Sequence, residues 1–155
     1  MKIVVDSNIV FSAILNTQSN IGQLIINGSQ FFNFYTVGLL KNEILEHKTK
    51  ILKITGFNDL QFSEIFELIC NKIHFVDEIL LSNNEINKAF DLVSDIDEDD
   101  ALFVALNNHL TAYLWTGDKK LINGLHKKHY SHLITTDDIF KIFLEKSLKK
   151  QLKRK

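Results

Sequence analysis

Apolar residues in this chain fall into short β-branched or aromatic runs, separated by stretches with helical spacing. The run "KIVV" (Lys2–Val5) ends at the polar "DSN", as a buried parallel strand does when it delivers residues to its carboxyl end. Val10, Phe11, Ile14 and Leu15 then recur at helical spacing, and a second helical stretch over Ile21–Ile26 is stopped by "NGS". "FFNFYTV" (Phe31–Val37) alternates as a second strand, and "LLKNEILEHKTKIL" sets Leu40, Ile44 and Ile51 on one helical face. An amphipathic helix is predicted from Asp59 towards Ile73, followed by a short strand at "HFV". Ile86, Ala89, Phe90 and Val93 mark a further helix, and "DDALFVALNNHL" another that is apolar nearly all round. "AYLWT" reads as a buried strand ending at "GD", and Leu121, Ile122 and Leu125 mark the helix after it. "HLIT" is a last short strand before a final helix capped near Thr136 and Asp137. Strands alternating with helices predict an α/β fold, a three-layer sandwich with a central, mostly parallel sheet flanked by helices.

Length and composition narrow the picture. A chain of 155 residues suits one domain with a single core, predicted here over 1–155 with a basic helical tail from about 146 to 155. Net charge −1 argues against a globally basic nucleic-acid binder and leaves a local site open. The lone Cys70 sits in an apolar helical pattern and reads as a buried, inert thiol. No apolar run approaches the roughly 18 residues that span a bilayer, and "MKIVVDS" is broken by Asp6 before a signal-peptide core forms. A cytosolic protein with no membrane partner is expected.

The chemistry concentrates in "SDIDEDDALFVAL", where Asp95, Asp97, Glu98, Asp99 and Asp100 fall within six residues. Two carboxylates about 4 Å apart repel by roughly 1–4 kcal/mol, depending on how wet the site is. Capping explains part of this, with Asp97 as N-cap and one or two first-turn acids on the macrodipole. It does not explain five acids at the head of a helix that must be buried. Asp6 and Asp118 each follow a predicted strand, where Asx-turn chemistry alone would account for either. Glu43 borders the apolar stripe of its helix. An α/β sheet brings strand ends and helix starts to one edge. No lysine or arginine adjoins Asp6 or Asp100 in sequence, so a hard divalent cation, Mg2+ or Mn2+, is the expected counter-charge. Periodicity does not separate Asp99 from Asp100.

These segments together resemble PIN domains. "MKIVVDSNIVFSAI" is similar to the family's opening strand and turn, "LLKNEILEH" to its acidic helix, "DIDEDDALFVAL" to its acid-headed helix and "LWTGDKKL" to its late strand and turn. The flavour is that of stand-alone bacterial PIN proteins that serve as toxins of toxin–antitoxin pairs. The resemblance implies acidic catalytic ligands at Asp6, Glu43, Asp100 and Asp118, with Asp97 as a further metal ligand. It gives Asn8 and Thr116 supporting places, the Thr116 hydroxyl bonding to the first aspartate. What it implies chemically is an Mg2+- or Mn2+-dependent ribonuclease with RNA as substrate, hydrolysing by in-line attack of water. An antitoxin partner and a homodimer follow from the same resemblance, the latter without an interface. Asn107 departs from the small residue usual in the family's central helix, which touches local packing.

Other features weigh less. Lys119 and Lys120, next to Asp118, are weak candidates for substrate contact and equally suit a solvated helix start. The tail "KSLKKQLKRK" suits a fraying helix end that complements its dipole, or a phosphate-contacting patch. His126, His129 and His132 recur every third residue without the cysteines of common zinc sites. Trp115 and most of the twelve phenylalanines read as core. The alternative to an enzyme is a non-catalytic PIN-like module that binds RNA or protein. A phosphoacceptor receiver would need adjacent acids after the first strand, where "VVDSN" offers one.

Overall fold

The computed structural model describes all residues from 1 to 155. Five strands form one sheet: β1 (Lys2–Val5), β2 (Asn33–Val37), β3 (Ile73–Val76), β4 (Tyr113–Trp115) and β5 (Leu133–Ile134). Their order is β3-β2-β1-β4-β5 and every pairing is parallel, so the predicted mostly parallel sheet is wholly so. The nine helices are α1 (Ser7–Leu15), α2 (Asn20–Gly28), α3 (Leu39–Glu46), α4 (Lys48–Thr55), α5 (Asp59–Cys70), α6 (Asn83–Val93), α7 (Ala101–Leu110), α8 (Lys119–Lys127) and α9 (Thr136–Arg154). They flank the sheet to give a three-layer α/β fold. Helix α7 packs on β1, β2 and β4 and against α6, while α1, α2, α4 and α5 pack on one another.

The apolar runs fold as their patterns demand. Ile3, Val4, Val5, Phe34, Leu114 and Trp115 are buried at the centre of one continuous core, and α7 is buried on most sides. The Trp115 indole N–H donates to Thr136 Oγ1 at 3.0 Å, which satisfies the polar end of an otherwise apolar side chain. Asn107 is also buried; its Nδ2 donates to Tyr130 OH at 2.8 Å and to the His132 carbonyl at 3.1 Å. Its amide nitrogen thus ties α7 to the segment before β5, while its Oδ1 is buried without a partner.

Three sequence expectations change in detail. The helix predicted across "LLKNEILEHKTKIL" is two helices broken at His47, whose backbone N–H still reaches the Glu43 carbonyl at 3.1 Å and whose Nδ1 stands 2.8 Å from the same oxygen. The last helix is capped one residue earlier than expected, by Thr135, in a reciprocal capping box with Asp138. Its basic end remains helical through Arg154 rather than fraying.

The sheet order fixes where a ligand fits. From β1 the chain proceeds to β2 and β3 on one side and only later to β4 on the other. The order therefore reverses between β1 and β4, and the crevice beyond their carboxyl ends is the topological switch point. Val5 pairs with Trp115 across it, which brings Asp6 beside Thr116.

Candidate active site

Asp6 leaves β1 at the switch point and is almost fully buried, 3% exposed. It is also the N-cap of α1, its Oδ1 accepting the Ile9 N–H at 3.0 Å. Asp118, beyond the end of β4, caps α8 in the same way: its Oδ1 accepts the N–H groups of Lys120 at 2.9 Å and Leu121 at 3.2 Å. Thr116 is buried and its Oγ1 accepts the Asp118 N–H at 3.1 Å, so this one hydroxyl braces the turn after β4 while lying against the Asp6 carboxylate. Both aspartates hold helix starts with one oxygen, and the caps fix their side chains.

The acid-rich segment is organised differently from the predicted cap. Asp97 does not cap α7. Its Oδ1 accepts the Asp99 N–H at 3.0 Å and caps a 3-10 turn over Glu98–Asp100. Helix α7 starts only at Ala101, and Asp100, in the N-cap position, makes no side-chain cap bond. Its Oδ2 is buried without any hydrogen-bond partner. Asp95 leaves the acidic group altogether: it pairs with the Lys128 ammonium, which also donates to the Leu92 carbonyl at 2.5 Å. That ammonium holds the Asp95 carboxyl below its ordinary range.

These elements enclose a cavity of about 510 Å3 lined by acids from three parts of the chain, Glu43 on α3, Asp97 to Asp100, and Asp118, together with Ser7 and Asn8 at the start of α1. No ion pair in the protein involves any of them or Asp6. The uncompensated charge shows in the proton affinities. Burial pushes the Asp6 carboxyl up, with Asp118 repelling it further and the Thr116 hydroxyl and the Ile9 and Asn8 backbone pulling it down. Burial also raises Asp100, to about 7, reinforced by Asp97, then by Asp6, Asp118 and Asp99. Electrostatically, Asp6, Asp97, Asp100 and Asp118 are one group.

The site residues expected from sequence divide accordingly. Asp6, Asp97, Asp100, Asp118, Thr116 and Asn8 gather at the switch point; Glu43 faces the same cavity from a more exposed position on α3. Lys119 and Lys120 do not line it. They lie on the first turn of α8, and Lys120 faces a separate polar groove with Asn123, Lys127 and Lys128. Ser7 is a cavity residue that the sequence pattern did not single out, though its place directly after Asp6 is a signal for it. A second missed residue is Glu78, whose Oε1 accepts the Leu39 N–H at 2.5 Å and caps α3 from across the fold, where Gly38 in the N-cap position has no side chain to do so.

The donor set suits a hard cation. All candidate ligands are carboxylate oxygens, as Mg2+ and Mn2+ prefer, and the orphaned Asp100 Oδ2 is the kind of buried acceptor that a cation satisfies. As the side chains stand, no three acids converge closely enough to grip an ion.

A family model described as "PIN domain" matches residues 4–138. Comparison with curated protein sequences gives no match. Among solved structures, a chain of "Crystal structure of VapBC2 from Rickettsia felis bound to a DNA fragment from their promoter" superimposes with a TM-score of 0.63 at 14% identity, over 87% of this chain and 98% of that one. At that identity the likeness speaks for the fold.

Proposed function

The chain belongs to the PIN domain family, and from that premise we propose that it is an endoribonuclease hydrolysing RNA phosphodiester bonds with Mg2+ or Mn2+. The observation that carries this is the meeting of Asp6, Asp100 and Asp118 at the β1–β4 switch point, with no cation of the protein against them and Asp100 Oδ2 left bare. Asp6, Glu43, Asp97, Asp100 and Asp118 would hold the metal. Bound there, a dication supplies Lewis-acid polarisation of a phosphate oxygen and a lowered pKa for water.

The chain's own residues supply positioning. Asp6, Asp97 and Asp118 each commit Oδ1 to a local cap, which fixes the carboxylates at the cavity, and the acids would have to draw closer together to share an ion. The starts of α1 and α8 and the turn before α7 direct backbone N–H groups and the positive ends of their dipoles towards this edge, which favours an anionic phosphate. The Asn8 amide, at the cavity lining, would donate to a phosphate oxygen. Water would be the nucleophile, since a dication held by these carboxylates would lower its pKa and no covalent side-chain intermediate is needed.

The test is cleavage of a structured RNA by the purified protein with Mg2+ or Mn2+. Activity that is abolished by chelation and absent from folded Asp6→Asn and Asp118→Asn variants supports the assignment. Equal activity in those variants overturns it, and RNA binding without cleavage favours the non-catalytic module.

We further propose that the protein acts in the cytosol as the toxin of a toxin–antitoxin pair. Support comes from the likeness in fold to a chain of the VapBC2 structure and from the motif resemblance. A small adjacent reading frame whose product suppresses growth arrest by this chain, together with loss of arrest in Asp118→Asn, is the expected outcome.

A further inference from the structure

RNA, as the substrate proposed above, meets like charge at the catalytic cavity. Glu43, Asp97, Asp100 and Asp118 line it, Asp6 stands behind them, and no lysine or arginine pairs with any of these acids. A bound dication offsets only part of that charge, so affinity for a polyanion has to come from cations beyond the cavity. Helix α8 leads to them. Asp118 caps the helix at the cavity, and Lys120, Asn123, Gly124 and Lys127 follow at helical spacing on one face. This face is one wall of a groove of about 570 Å3, and the other wall is Asp95 and Ile96. Both walls are continuous along the chain with cavity residues, Asp118 on one side and Asp97 on the other. At Gly124 a Cβ would fall 2.3 Å from Ile96 Cδ1, so the walls close against each other at the floor. Lys120 and Lys127 are exposed and belong to no ion pair. Lys128 is already committed, pairing with Asp95 and donating to the Leu92 carbonyl.

We propose that this groove carries the backbone of the RNA strand that runs out of the cavity, with Lys120 and Lys127 each taking a phosphate and the Asn123 amide donating to a backbone oxygen between them. The choice of RNA rests on the ribonuclease reading. Lys120 and Lys127 are two helical turns apart, about 10 Å along the axis, which is the rise of about three stacked nucleotides. One strand reaches both. Lys120, Lys127 and Lys128 against Asp95 leave the groove net positive in a chain whose formal charge is −1. Contacts to phosphate position a strand without reading its bases. The other lysine-rich hollow, where Lys146, Lys149, Lys150 and Lys153 surround Phe31, is worse placed. Phe31 precedes the amino end of β2, so the length of that strand separates the hollow from the catalytic edge. RNA in the cavity would have to bend round the sheet to reach it.

Fluorescence anisotropy with a short labelled single strand of poly(U) in Mg2+ tests this. All variants are made in Asp6→Asn, so that binding is read without cleavage. Lys120→Gln and Lys127→Gln should each weaken binding about fivefold at about 0.1 M salt and reduce the slope of log K against log salt by about 0.7. Both side chains are exposed, so melting temperatures should not move. Asp95→Asn removes the acid of the groove and should tighten binding instead, a sign that mere disturbance of the turn would not give. Lys149→Gln and Lys153→Gln should change nothing. Failure to bind the strand overturns the proposal. So does binding indifferent to Lys120→Gln and Lys127→Gln, weakened by Asp95→Asn, or lost only in Lys149→Gln and Lys153→Gln. The ribonuclease reading fails separately: wild-type protein that holds the strand through Lys120 and Lys127 yet never cleaves RNA in Mg2+ or Mn2+ overturns that reading and upholds the groove.

Discussion

The carboxylates of Asp6 and Asp100 repel each other between a strand end and a helix start, and no lysine or arginine of the protein stands against either. Asp6 belongs to the sheet and Asp100 to the turn that leads into α7, which packs on that sheet. The core that buries the helix therefore presses the two charges together. Stability is given up in the free protein at the place where a dication would restore it.

Asp6→Asn follows directly. Burial raises the Asp6 pKa, so ionising it costs the fold stability once the pH passes the ordinary carboxylate range. Asparagine removes that charge yet keeps an oxygen for the Ile9 N–H, so the cap on α1 survives. The metal-free variant should melt higher than wild type at pH 7, by about 2–4 °C for each kcal/mol recovered. Its RNA cleavage should fall to background. Scanning calorimetry in chelator and a cleavage assay on the same sample check both.

Asp100 makes the stability of the metal-free protein depend on pH in a definite window. Its folded pKa of about 7 lies above the ordinary 3.8, so folding takes up a proton between those values. Stability is full below about pH 4, declines as the pH rises to about 7 and is level above. The complete shift corresponds to a ceiling of about 4 kcal/mol, and partial solvent access keeps the real loss well below that. Saturating Mg2+ should flatten the slope, because an ion that binds the carboxylate removes the penalty for ionising it. Urea melts at several pH values, with and without Mg2+, measure this.

Glu78 is predicted to matter for Glu43 without touching the cavity. Helix α3 begins at Leu39 behind Gly38, which has no side chain to offer, and the Glu78 carboxylate supplies the missing acceptor. Glu78→Ala should destabilise the protein by about 1 kcal/mol, the usual cost of a lost N-cap. It should also reduce cleavage partially, because a loosened first turn lets Glu43 wander. Glu78→Gln keeps an acceptor oxygen and should recover much of both. Glu43→Gln, by contrast, should lower activity with little change in stability, since that side chain is exposed and unpaired.

Much of this arrangement was legible in the chain. "KIVV" before "DSN" and "AYLWT" before "GD" announce strand ends bearing Asp6 and Asp118, because buried parallel strands have a distinctive apolar run and a polar stop. What periodicity could not do was divide the five acids among their tasks. The structure turns Asp95 to Lys128, thirty-three residues on, spends Asp97 on a turn and leaves Asp100 bare. A 3-10 turn of three residues is too short to leave a periodic trace. Glu78 was equally hidden, since its partner Leu39 lies thirty-nine residues away and on another element. Along α9 the apolar residues read in sequence as one stripe, and only the fold shows that Ile139, Ile142 and Phe143 take the core side while Phe140, Leu144 and Leu148 stay exposed.

The position of Asp97 depends on a contact with no chemistry of its own. At Gly124, in the middle of α8, an added Cβ would fall 2.3 Å from Cδ1 and 2.8 Å from Cγ1 of Ile96. Helix α8 therefore approaches the Ile96 side chain more closely than any other residue type permits, and Ile96 directly precedes Asp97. Gly124→Ala gains about 1 kcal/mol of helix propensity but must displace Ile96, at an overpacking cost of about 1–3 kcal/mol. The expected net effect is a small loss of stability accompanied by a weaker response to Mg2+, as the turn carrying Asp97 is pushed out of place. Ile96→Ala alone should destabilise by leaving a gap. The double variant should be better than the sum of the two, because the new methyl occupies the space that the isoleucine vacates. Denaturant melts and Mg2+ titrations of the four proteins measure the coupling. Strict additivity would mean that the Gly124–Ile96 contact does not set the position of the acidic turn.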